Sequence, residues 1–276
     1  MKRIVLFTFK SDFDMCLNRI ELIRKLNPHA SIYGIFDGPE RDLRLARETL
    51  SNVLEDVYYH AGRSAVWRWV NQDLVIRAWY NEVGKQLDFD MLHYIESDLV
   101  LFASLEEIFS GILKGSLGLT GLTPIDTIEN KWAWTARDPF RTDWLDLIED
   151  AIERCNYKKR PYACFGVGSC LPRGFLDRYS STTVPELSNN EARMPLYAQI
   201  LGYELRDNGL SKGIICDEAE YRVFNSKRRP DGRESEIELE DIITQISMPT
   251  GRRAFHPYYK PLDIDEILGR LGQPET

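Results

Sequence analysis

Apolar and polar positions along the first third of the chain fall into blocks that alternate between strand length and helix length. Ile4, Val5, Leu6, Phe7, Thr8 and Phe9 form a short run rich in β-formers, interrupted only by the threonine. A run of this kind suits a strand covered on both faces, as in a parallel sheet. Phe13, Cys16, Leu17, Ile20 and Ile23 then recur at helical spacing, with Ser11 or Asp12 as the N-cap and Pro28 beyond the end. The pattern predicts a second strand over 31–36, closed by Asp37, Gly38 and Pro39. A short helix follows, carrying Leu43, Ala46 and Leu50 on one side, and then a third strand over 53–59. One long helix is expected over roughly 66–87, with Trp67, Trp69 and Trp79. A strand over 91–95 runs into Glu96-Ser97-Asp98, and the apolar run resumes over 99–102.

Strand and helix in strict alternation are the βαβ signature, which predicts an α/β fold with a mainly parallel sheet and helices on both faces. Beyond residue 115 the pattern is looser. Strands are expected over 117–122 and 165–171, helices over 143–154 and 191–201, and short strands over 203–206 and 214–216. Residues 225–241 are dense in charge and read as a solvated loop running into a helix, or as a lid that orders over a ligand. There is no internal repeat and no dividing linker, so 1–276 reads as a single domain.

Composition narrows the function. The 276 residues are 43% hydrophobic and 28% charged, as in a packed globular protein. The net charge of -8 argues against a nucleic-acid surface, and a phosphate ligand would need a metal or a local cluster of arginines. Five widely spaced cysteines (16, 155, 164, 170 and 216) include no C-x-x-C pair and fit reduced thiols in a cytoplasmic protein. No apolar run is long enough for a transmembrane segment, which leaves contact at a membrane surface open.

The chemistry gathers at two places. In open parallel sheets, ligands sit beyond the carboxyl ends of the strands, where Glu96-Ser97-Asp98 is expected. Residues two apart on extended backbone point the same way, so Glu96 and Asp98 are placed to share a hard cation, Mg²⁺ or Mn²⁺; the alternative is a helix-capping carboxylate beside a solvated one. Near the other end, His256 is followed by Pro257, which holds the preceding residue extended. Arg252, Arg253 and Lys260 surround it as charge for a diphosphate or as a solvated basic rim.

In their order along the chain, these pieces resemble the GT-A class of nucleotide-sugar glycosyltransferases. The matching parts are the first strand ending at Thr8-Phe9-Lys10, the second ending at Asp37, and the triplet after Tyr94-Ile95. Phe165-Gly166-Val167-Gly168-Ser169, Arg173-Gly174-Phe175-Leu176, Asn189-Asn190-Glu191-Ala192-Arg193 and the late histidine complete the set. The resemblance implies a GT-A-like mixed, mainly parallel sheet, with a nucleotide-binding half over about 1–110 and an acceptor-side half over about 111–276. The family's triplet is usually D-x-D, so it implies Asp98 and His256 as metal ligands, with Glu96 on the metal or the ribose. The same likeness assigns Thr8, Phe9, Lys10, Asp37 and Ser97 to the donor, with Lys260 on its phosphates and Gly166 and Gly168 at the donor sugar. These glycines read equally as a bend in a strand. Asp73 and Arg77 are placed to face the donor or, four apart, to pair with each other. Inverting members carry an acidic base at a helix start, which points to Glu191, although Ala192 stands where an aspartate usually follows. Trp132 and Trp134 are candidates to border the acceptor.

The function implied is metal-dependent transfer of a sugar, uridine diphosphate being the commonest donor nucleotide, to a hydroxyl on a glycan, a lipid-linked sugar or a small molecule, with inversion. The alternative is a glycosyltransferase-like module that binds a nucleotide-sugar or glycan without turnover. The segment after the first strand, Thr8-Phe9-Lys10-Ser11-Asp12, is not the glycine-rich loop of a sugar nucleotidyltransferase, and no G-x-G-x-x-G marks a dinucleotide enzyme.

Overall fold

A computed structural model describes residues 1–216, 218–221, 223–224 and 237–271. Nine strands are seen among them: β1 (Arg3–Phe9), β2 (Ser31–Phe36), β3 (Val57–Tyr58), β4 (Met91–Glu96), β5 (Val100–Leu101), β6 (Ser116–Pro124), β7 (Tyr162–Pro172), β8 (Glu204–Asp207) and β9 (Ala254–Phe255). Seven form one mixed sheet in the order β3-β2-β1-β4-β7-β6-β8, and β5 pairs with β9 in a separate ribbon. Neighbours from β3 to β4 are parallel, β7 is antiparallel to both β4 and β6, and β8 runs parallel with β6. The α/β architecture expected from the alternation is therefore present, with β7 the one reversed strand.

Successive residues of a strand point to opposite faces, and the core divides accordingly. Ile4, Leu6, Leu92 and Tyr94 face one layer, packed against the helices Gln72–Glu82, Phe140–Cys155, Arg173–Ser181 and Asn190–Ile200. Val5, Phe7, Phe9, Met91 and Ile95 face the other, under the helices Phe13–Leu26 and Leu43–Leu50. A smaller cluster joins the β5–β9 ribbon (Val100, Phe255) to Ile242 and Ile246 of the helix Leu239–Ser247.

Three expectations are corrected. The third strand is shorter than 53–59, because Val53 and Leu54 donate back to the Leu50 carbonyl at 3.0 Å and extend the helix end instead. The single helix over 66–87 is two helices, Ala65–Val70 and Gln72–Glu82, broken at Asn71. The Asn71 side chain donates to the Trp67 carbonyl, closing the first helix, and accepts from the buried Arg193. Residues 214–216 form no strand; the Ile214 N–H donates to Thr123 Oγ1 instead of to a ladder. Most of the charge-dense segment, residues 225–236, lies outside the described residues. No helix among the described residues is long and apolar enough to cross a membrane.

Candidate functional site

The chain passes from β1 to β2 on one side and later to β4 on the other, so the carboxyl ends of β1 and β4 flank a topological switch point. Ligands of open α/β sheets sit in such crevices. Thr8 pairs in register with Glu96 across it, and the Ser97 N–H donates to the Thr8 carbonyl at 3.0 Å. Beyond these ends lies a cavity of ≈ 620 Å³. Thr8, Phe9, Lys10, Asp37, Glu96, Ser97, Asp98, Gly166, Glu191 and His256 line it, as do Trp69, Gln72, Trp134, Asn189, Asn190 and Tyr259.

His256 reaches the triplet through the ribbon. Val100 pairs with Phe255 and Leu101 with Ala254, so the residue after β9 comes to lie beside the residues before β5. The Tyr258 N–H donates to the Asp98 carbonyl at 2.9 Å, and Arg19, buried under this segment, donates to the carbonyls of Tyr258 and Lys260. His256 Nε2 stands 3.5 Å from Asp98 Oδ1 and 4.0 Å from Glu96 Oε2. One ligand atom from each of Glu96, Asp98 and His256 lies within 4.8 Å of the others.

The electrostatics are lopsided. Four carboxylates line the cavity (Asp37, Glu96, Asp98, Glu191), against one lysine and no arginine among the described lining residues. Burial raises Glu96 above the ordinary carboxylate range and Asp98 adds to the rise, while His256 and the Gln72 amide oppose it. Asp98 suffers the same burial, yet the charge and hydrogen bond of His256 outweigh it and hold Asp98 low. Burial also raises Asp37, against Arg68 and a hydrogen bond from Thr8 Oγ1 at 3.2 Å.

Glu191 opens the helix Asn190–Ile200, whose N-cap Asn189 accepts from the Ala192 N–H. Burial pushes its carboxyl up to about 7, Glu96 adds to the shift, and hydrogen bonds from the Gly166 N–H, Asn189 and Trp134 oppose it. Behind it runs a chain of amides. Asn190 donates to Gln72 Oε1 at 3.2 Å, and Gln72 donates to Glu96 Oε1 at 3.2 Å. This leaves Oε2 as the Glu96 oxygen turned toward His256. Gly166 permits the arrangement: a Cβ there would stand 2.7 Å from the Asn190 amide nitrogen and 2.9 Å from Gln72 Oε1.

Other candidates sit elsewhere. Asp73 is wholly buried and bonded to Arg193, and Arg77 donates to the carbonyls of Ser180 and Thr182; the pair neither lines the cavity nor bridges itself. Gly168 has φ +74 and no part in the lining, so it marks the bend in β7. Lys260 is exposed and outside the lining; Arg252 pairs with Glu220 at 2.8 Å, and Arg253 donates to carbonyls of its own loop. Trp132 is core, whereas Trp134 lines the cavity. The sequence does not single out Gln72, because it gains its place from Glu96 and Asn190, both distant in the chain; Asn190 and Trp69 stand in stretches named above without a role of their own.

No family model and no curated protein matches the chain. Among solved structures, it is similar to the galactosyltransferase LgtC in complex with donor and acceptor sugar analogues, at 12% identity over 99% of this chain and 97% of that one, with a TM-score of 0.44. It is similar to the glycosyltransferase GlyE of Streptococcus pneumoniae TIGR4 at 13% identity, covering 75% of this chain and 46% of that one, with a TM-score of 0.28. With the bifunctional glycosyltransferase WbbM the figures are 10% identity, 99% and 50% coverage, and a TM-score of 0.42, so the chain spans about half the length of these last two.

Proposed function

We propose that the protein is a metal-dependent glycosyltransferase that moves a sugar from a nucleoside diphosphate sugar to a hydroxyl acceptor, with inversion at the anomeric carbon. A uridine diphosphate sugar is the first donor to try, on the resemblance of its motifs. The observation that supports this reading best is the group Glu96, Asp98 and His256 in an acidic cavity at the switch point. A diphosphate would be repelled by that wall unless a divalent cation stood between them. Two carboxylates and an imidazole form a fitting donor set for Mn²⁺ or Mg²⁺.

Bound there, the cation would offset charge on the departing diphosphate. The chain's own residues supply the rest. Asp98, held ionised by its neighbours, would be the firmest anionic ligand; Gln72 donates to one Glu96 oxygen, which would leave the other for the metal. Thr8, Phe9, Asp37 and Ser97, which line the cavity with Lys10, would hold the nucleoside, with Lys10 as a cation for the donor. Glu191 takes the proton of the acceptor hydroxyl. Its carboxyl titrates near neutrality, where a base combines a useful ionised fraction with affinity for the proton.

Thermal unfolding with a panel of nucleoside diphosphates, with and without Mn²⁺, tests the donor site. One diphosphate should raise the melting temperature by about 5 °C at a hundredfold excess over its Kd, and only with Mn²⁺ present. Asp98→Ala should abolish the shift. A folded protein that responds to none of them would overturn the proposal. In the same assay Gly166→Ala, by displacing the Gln72 and Asn190 amides, should weaken Mn²⁺ binding about tenfold, as loss of an outer-shell partner does. An unchanged Mn²⁺ titration would show that the Gln72 contact does not orient Glu96.

A further inference from the structure

We infer that the acceptor is a neutral saccharide whose ring packs on an aromatic wall made by Trp69 and Trp134. The inference rests on the reading of the cavity as a glycosyltransferase site.

The short helix Ala65–Val70 presents Val66 and Trp69, three apart and so on one face, at 69% and 60% exposure. Its opposite side is fixed. Arg68, only 2% exposed, donates to the carbonyls of Arg63, Asp37 and Gly38 at 2.6, 2.9 and 2.7 Å, and its guanidinium lies 4.8 Å from the centre of the Tyr59 ring. Val66 and Trp69, exposed side by side on the cavity wall with Trp134, form a contiguous apolar patch of the kind that marks binding sites. The Trp69 ring stands 5.9 Å from Trp134, and Trp134 packs edge-on against Phe140 at 4.5 Å. Val66, Trp69 and Trp134 line the same cavity as Glu191, and the Trp134 indole is near enough to oppose the rise of the Glu191 carboxyl. Apolar wall and proposed base therefore meet at one side chain.

Few acceptors match that combination. A pyranose has an apolar C–H face for the indoles and a rim of hydroxyls, one of which can reach a carboxylate at the edge of the wall. An alkyl chain would fill the wall but leave Glu191 and its polar surroundings desolvated without a partner. An anionic acceptor would meet the carboxylates that dominate the lining.

The wild type, Trp69→Ala and Trp69→Phe, each with Mn²⁺ and the nucleoside diphosphate that stabilises the wild type, are titrated with methyl glycosides of glucose, galactose and mannose and with neutral disaccharides. Binding is read by saturation-transfer NMR and tryptophan fluorescence. At least one of these probes should bind the wild type. Trp69→Ala should weaken it about tenfold, Trp69→Phe less, with diphosphate affinity unchanged in both. Equal affinity in Trp69→Ala overturns the inference, as does failure of every neutral saccharide to bind, whether or not a prenyl-phosphate sugar or a peptide does. A wild type that binds saccharides but no diphosphate would instead overturn the donor reading beneath it; normal diphosphate binding without saccharide binding would overturn the acceptor alone.

Discussion

Asp73→Ala is expected to destabilise the protein by about 3–5 kcal/mol, the largest loss of any single replacement considered, measurable by urea unfolding. Asp73 and Arg193 are both wholly buried, joined through Nη2–Oδ1 at 2.5 Å and Nε–Oδ2 at 2.9 Å. Tyr179 donates its hydroxyl to Asp73 Oδ2, and Arg193 also donates to Asn71 Oδ1 and to the carbonyls of Leu187 and Ser188. Removing the carboxylate leaves a guanidinium in the interior with its main counter-charge gone, and that residual charge, rather than the lost attraction, sets the cost. Asp73→Leu with Arg193→Met should therefore recover much of the loss. A cost below about 1 kcal/mol for Asp73→Ala would mean that water reaches the pair. The network joins the helices Gln72–Glu82, Arg173–Ser181 and Asn190–Ile200, two of which carry Gln72 and Glu191 to the cavity. Destabilisation should thus be accompanied by weaker Mn²⁺ binding.

Glu191→Gln should lower kcat about 10²–10⁴-fold, the usual worth of a general base, with little change in donor KM. In the wild type the carboxyl is raised from an ordinary 4.5 to about 7, so the base form grows in as pH rises. The rate should climb through neutrality to a plateau and the variant should lack that limb. Stability moves the other way. Between 4.5 and about 7 the folded state holds a proton that the unfolded state has released, so this group's contribution is fully present below 4.5 and is lost as pH rises through about 7. The melting temperature of Glu191→Gln relative to wild type should accordingly rise with pH. A kcat within a few-fold of wild type would remove Glu191 from the proton transfer, and a product with retained anomeric configuration would remove inversion with it.

These two residues also show what a sequence discloses. Strands β1, β2 and β4 were legible because each is a short apolar run bounded by turn residues, and both faces are in fact covered. The triplet was legible for a related reason: a polar burst directly after a buried strand must lie beyond the strand's end. Asp73 was not, because its counter-charge is Arg193, on a different helix, and helical spacing suggested only Arg77. Asn71, which closes the first helix on the Trp67 carbonyl, is also held by that guanidinium through its side-chain oxygen, a contact no local pattern announces. Gly168 looks like Gly166 in sequence, yet one turns the strand and the other admits two amides to the cavity. Near the carboxyl end, the basic rim around His256 suggested phosphate contacts, but Arg252 is engaged by Glu220, whose reach to it no local pattern announces.

The ribbon of β5 and β9 has a consequence for how the site comes into being. Asp98 leaves the ribosome early and His256 long after it, so the nascent chain can complete strands β1 to β4 while Glu96 and Asp98 still lack His256. A two-residue strand pair, Val100–Leu101 with Ala254–Phe255, is the seam that closes this distance. Bringing ends so far apart together has an entropic cost that a cation spanning the seam would help to offset. Ion capture would then be the closing event of biosynthesis, and backbone amides of the seam would exchange with solvent most slowly in the loaded protein.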